Sequence, residues 1–169
     1  MSRINWTIAA NAGVLAYLGD TARLARSVSA AKDRRECSPA EVADPYYTLG
    51  THPDLVQRLW DELGKGLPED CRWIVHGAPA LVRPNSGVIF GFAGGTQTYA
   101  LALPDEVRAP AVAAGARTKH TYPAYPELNV EASTIDLTTF GRGWVFGGWF
   151  KGEEDWCRAA YLAAGGHAA

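Results

Sequence analysis

Two histidines and one glycine-rich loop are where chemistry would have to stand in this 169-residue chain. His76 and His120 belong to the one side-chain type that titrates near neutral pH, which suits acid/base work. Either would need a nucleophile in hydrogen-bond reach, with Ser86, Ser133, Thr96 or a cysteine as candidates, and an orienting carboxylate such as Asp136. No local motif places such groups together. The other two histidines offer less, since His52 sits where a helix cap is expected and His167 lies in a terminal tail. A metal site needs three or more converging ligands, and the four histidines contain no i, i+4 pair. No metal and no cofactor are therefore expected.

The loop is "VIFGFAGGTQTYALALP", residues 88–104, in which Gly94 and Gly95 precede Thr96. A phosphate-binding loop leads from a strand into a helix N-terminus, and its Walker form ends in Gly-Lys-Ser/Thr. Here the residues after Gly95 alternate like a strand as far as Pro104, and the segment holds no lysine. Short glycine-containing links between alternating runs mark a hairpin. A further constellation is aromatic: Trp144, Trp149, Trp156, Tyr122 and Tyr125, side chains able to stack on a sugar or an unpaired base. Trp144 alternates with Phe146 and reads as core, whereas Trp149 is expected to stay partly exposed. If one surface binds a ligand, it is expected where His76, Arg83, His120, Tyr122 and Trp149 meet.

The elements that must position these residues follow from periodicity. The apolar stretch after Arg3 is interrupted by Asn5 and Asn11, so it reads as an amphipathic helix rather than a secretion signal or a membrane span. A second helix is expected through Leu24, Ala25 and Val28. Ser38-Pro39-Ala40-Glu41 has the form of a capping box with proline at the first helical position, which predicts a short helix in a linker. Residues 1–45 are thus expected as a helical extension and 46–169 as the core domain. Leu55, Val56, Leu59, Trp60 and Leu63 share one face of the next helix. Strands are then expected in "CRWIVHG", in "ALV", across Val88, Phe90 and Phe92 on one face, and across Tyr99, Leu101 and Leu103 on one face. A helix from Asp105, shortened by Pro110, leads to an aromatic and proline-rich loop at 117–129. Strands in "STIDL" and "GWVFGGW" follow, then a last helix whose Glu153, Glu154 and Asp155 sit favourably at its positive end. This order predicts an α+β fold, an antiparallel sheet of five or six strands with helices packed on one face, preceded by the helical extension.

Net charge is −2 and unevenly spread: residues 1–35 hold six Lys/Arg against two Asp/Glu. The remainder is acidic, which disfavours a nucleic-acid-coating surface, although Arg23, Arg26, Lys32, Arg34 and Arg35 form a small basic run. Cys37, Cys71 and Cys157 are odd in number and widely spaced. They read as buried free thiols in a reducing cytoplasm rather than as a disulfide or zinc framework.

"LWDELGKGLPEDCRWIVHGAPAL", "GVIFGF", "TYALALPDEVR", "GWVFGGW" and "AAYLAA" resemble, in order and spacing, the YjbR/MmcQ-like domains. The similarity covers residues 55–164. The late loop is longer than in that pattern, Leu103 stands where a lysine usually closes the leucine strand, and residues 1–50 have no counterpart. The resemblance implies a CyaY-like fold, a proposed DNA-binding role and no known catalytic set. The functional expectation is a non-catalytic cytoplasmic binding or interaction domain, with a protein partner or self-association through the N-terminal helices, or a small ligand. The alternatives are a nucleic-acid-binding domain and a small-ligand enzyme using His76 or His120.

Overall fold

A computed structural model describes residues 3–20, 37–40, 51–95, 98–129, 131–141 and 143–166. Its architecture is α+β. Helix α1 (Ala9–Leu18) is followed by edge strand β1 (Cys37–Pro39) and by α2 (Pro53–Gln57), which continues as a π-helical turn over Arg58–Leu63. Strands β2 (Arg72–Val75), β3 (Ala78–Val82), β4 (Ile89–Gly94) and β5 (Thr98–Ala102) come next. After α3 (Asp105–Ala113) lie β6 (Lys119–Tyr122), β7 (Ser133–Asp136), β8 (Trp144–Phe146) and α4 (Glu153–Gly165). The main sheet is antiparallel in the order β1-β2-β3-β4-β5-β8, and β6 and β7 form a separate two-stranded ribbon.

Both faces of the sheet are covered. On one, Leu81, Phe90, Tyr99, Leu101 and Val145 pack against Leu55, Leu59 and Trp60 of the second helix and Cys157, Ala160 and Ala164 of the last. The stripe at 55–63 lies on this face as its spacing predicts. On the other, Val75, Val82, Ile89, Phe92 and Trp144 pack against Val14 and Leu18 of α1 and against Leu137 and Phe140. The first helix is therefore docked on the sheet of its own chain. Its anchor is Asn11, fully buried, whose Nδ2 donates to the Asn5 and Gly87 carbonyls while its Oδ1 accepts from Ile89 N–H at 2.8 Å.

Three expectations are corrected. Cys37–Pro39 is a strand, not the start of a capped helix; Cys37 pairs with Val75 and Pro39 with Trp73. Proline is tolerated there because β1 is an edge, and tertiary pairing outweighs the local helix signal. Phe90 and Phe92 face opposite sides, because Leu81 pairs with Gly91 while Val82 pairs with Ile89, leaving Phe90 as an extra residue in a bulge. Within the expected loop at 117–129, Lys119–Tyr122 is a strand whose alternate residues are exposed and half-buried. The hairpin at Gly94-Gly95 holds, with Gly94 opposite Thr98. The expected helix through Leu24 and Val28, the basic residues 23–35, and Glu41 lie outside the described residues.

Candidate functional site

Arg58 opens the π-helical turn of the second helix, and Glu153 opens α4 on the far side of the same layer. Arg58 Nη2 donates to Glu153 Oε1 at 2.9 Å, and Nη1 donates to Glu62 at 2.8 Å. The Tyr99 hydroxyl donates to the same Glu153 oxygen, and Gly148 N–H donates to Oε2 at 2.8 Å. Trp149 N–H in turn donates to the Tyr99 hydroxyl at 2.7 Å. Burial and the bond to Glu153 raise the Tyr99 pKa. Burial works against the Arg58 charge, but its bonds to Tyr99, Glu153 and Glu62 outweigh that and its pKa is raised. The result is a protonated phenol and a guanidinium paired through both Nη atoms around a carboxylate that accepts three hydrogen bonds, with Arg58 Nε buried and unpartnered. Gly147 makes the approach possible, since a Cβ there would meet the Tyr99 ring at 1.9 Å.

This network is a pedestal for Trp149. Its backbone is left-handed (φ 54°), its ring stands edge-on to Tyr99 with centroids 4.9 Å apart, and the Arg58 guanidinium lies 5.8 Å from the ring centroid. The residue remains 50% exposed, as its position predicts.

Of the other expected site residues, His120 and Tyr122 are brought together on β6, with ring centroids 4.6 Å apart. His120 also faces Phe146 at 6.0 Å, and the Tyr122 hydroxyl bonds to Thr98 Oγ1 at 2.9 Å. Burial, with Arg117 nearby, lowers the His120 pKa. His76 and Gly77 have φ 50° and 80° and connect Val75 to Ala78. They are the two central residues of a tight hairpin, where positive φ is required at both. The His76 ring meets Trp6, centroids 6.2 Å apart. Arg83 lies beyond the other end of β3, some 17–20 Å along the strand at about 3.3 Å per residue. There its guanidinium lies 3.8 Å from the Tyr161 ring centroid, and Nη1 donates to the Tyr161 carbonyl at 2.9 Å. His76 and Arg83 are thus at opposite ends of β3, and Tyr122 packs on the sheet face opposite the one from which Tyr99 meets Trp149.

Three of the other candidate groups are committed to structural bonds. Ser86 Oγ donates to the Ala164 carbonyl at 2.8 Å, Asp136 accepts from Thr138 N–H at 3.0 Å, and His52 caps α2 by accepting from Asp54 N–H at 3.1 Å. Among the described residues no group of three His, Cys, Asp or Glu is placed to hold a metal ion. Nor is any described helix long and apolar enough to cross a membrane.

A concavity that can hold a molecule lies elsewhere among the described residues, at the end of the sheet where β4 begins and β5 ends. It is about 530 Å³ and open to solvent. Phe90, Phe140 and Trp144 supply aromatic wall; Ala9 and Ala10 of α1 face Ala160, Ala163 and Ala164 of α4. Asp105, at the start of α3, stands at its rim. None of the five expected site residues lines it. The space exists because short side chains meet where two helices end. Alanines at 9, 10, 160, 163 and 164 are visible in the sequence, but only the fold reveals that the two groups face each other.

No family model, no curated protein and no solved structure matches the chain.

Proposed function

We propose that this chain is a non-catalytic binding domain that holds a small apolar molecule in the cavity at the end of its sheet. The cavity carries the reading: its volume falls in the range of small-molecule sites, roughly 300–1,000 Å³, and such sites are lined mainly by apolar and aromatic side chains. The placement of the candidate polar groups supports it further, since His76 and His120 do not line the cavity and the Glu153 carboxylate is already bonded to Arg58, Tyr99 and Gly148. The three free cysteines fit a reducing, cytoplasmic setting. Self-association through the N-terminal helices has less support, because Val14 and Leu18 of α1 are already covered by the sheet.

The test uses N-phenyl-1-naphthylamine, an uncharged probe that fluoresces on leaving water. Saturable binding at one site is expected, weakened at least tenfold by Ala163→Trp, with circular dichroism confirming that the variant is folded. No saturable binding, or equal affinity in the folded variant, would remove the proposal.

A further inference from the structure

The turn between β3 and β4 holds both helices that face each other across the cavity. Toward α4, Arg83 stacks on Tyr161 and donates to its carbonyl, while Ser86 Oγ donates to the Ala164 carbonyl. Both carbonyls lie in the C-terminal part of α4, and Ala164 is among its last four residues, whose carbonyls lack an i+4 donor within the helix. Arg83 is itself held, with Nε donating to Asn85 Oδ1 at 2.9 Å. Toward α1, the Gly87 carbonyl accepts from Asn5 N–H and from Asn11 Nδ2, both at 2.9 Å. The packing is tight on both sides. A Cβ on Gly165 would meet Arg83 Cζ at 2.8 Å, and one on Gly87 would meet the Arg3 carbonyl oxygen at 2.4 Å.

We infer that Arg83, which does not line the cavity, is a specificity-determining positioning residue that sets how long a ligand the cavity accepts by fixing the last turn of α4. This rests on the proposed binding role. Ala163 and Ala164 lie on that turn and Ala160 just before it; together they form the α4 wall, and what anchors the turn helps to set its distance from Ala9 and Ala10. Arg83 anchors it from outside, by a stacked ring and a carbonyl bond that no single other side chain reproduces. A wall held in place ends the gain in affinity with each added methylene once the space is filled; a released wall lets the gain continue.

Displacement of N-phenyl-1-naphthylamine by hexan-1-ol and by dodecan-1-ol reads this directly. In Arg83→Met the ratio of the two inhibition constants is expected to move about tenfold in favour of dodecanol. Arg83→Lys, which keeps the charge but not the flat stack and fork, is expected to fall between that variant and the wild type. Gly165→Ala keeps Arg83 but displaces it, and is expected to move the ratio in the same direction. A residue that only stabilised the fold would lower the melting temperature and leave the ratio fixed. An unchanged ratio in folded Arg83→Lys and Gly165→Ala would overturn the inference. Failure of the probe to bind the wild type would instead overturn the binding role beneath it.

Discussion

Arg58 and Glu153 are 95 residues apart in the chain and 2.9 Å apart in the fold. Glu153 is fully buried and accepts from a guanidinium, a phenol and a backbone amide. Removing one partner of such a pair leaves the other charge buried and uncompensated, at a cost of about 3–5 kcal/mol. Urea unfolding of Arg58→Met is expected to show a loss of that size, because the buried Glu153 then loses the cation paired with it, whereas in Glu153→Ala Arg58 would keep Glu62. An apolar replacement of both partners, Arg58→Met with Glu153→Leu, is expected to recover part of it, which a double-mutant cycle would read.

Asn11 gives a second stability prediction. Its side chain satisfies Ile89 N–H and the Gly87 carbonyl, both presented by the β3–β4 region. Asn11→Ala strands the buried Ile89 N–H, while the Gly87 carbonyl keeps its bond from Asn5, and is expected to cost about 1–3 kcal/mol in urea unfolding. Amide exchange at Ile89 is expected to quicken in the variant.

Two buried thiols make stability depend on pH on the alkaline side. Burial is the largest influence on Cys71 and Cys157 and pushes both up to about 12, from 9.0 when unperturbed. Below pH 9 folded and unfolded chains hold these protons equally. Between about 9 and about 12 the unfolded chain releases them and the folded chain does not. Stability is therefore lost as pH rises through this window, with a slope of at most about 1.4 kcal/mol per thiol per pH unit. Denaturation midpoints measured from pH 8 to 11 should fall, and fall less in a Cys71→Ala, Cys157→Ala double variant.

His120 acts at the other end of the scale. Burial, aided by Arg117, lowers its pKa from 6.5. The folded chain then resists a proton that the unfolded chain accepts, so this contribution to stability is lost as pH falls below 6.5. An NMR titration is expected to place its midpoint below 6.5.

The helical stripes and most strands were legible because each buries one face at a regular period. The reading failed where one local feature overrode the period. A single extra residue at Phe90 turns Phe92 to the opposite face, and pairing with β2 draws Ser38-Pro39 into a strand despite its helix-capping form. Glu153 is instructive for another reason. At the start of a helix it has an adequate local explanation in the helix dipole, and nothing in its neighbours announces Arg58 and Tyr99. The cavity was illegible for the same reason, since it depends on two distant groups of alanines meeting. His76 carried a visible signal that chemistry obscured, because His-Gly between alternating runs is also a hairpin turn.

The binding site is most directly tested by mapping amide chemical shifts of the labelled protein as N-phenyl-1-naphthylamine is added. Shifts are expected to concentrate at Ala9 and Ala10, at Ala102 to Asp105, at Gly141 and at Ala160 to Ala164. Shifts centred on His120 and Tyr122, or on Trp149, or none at saturating probe, would contradict the assignment of the cavity as the binding site.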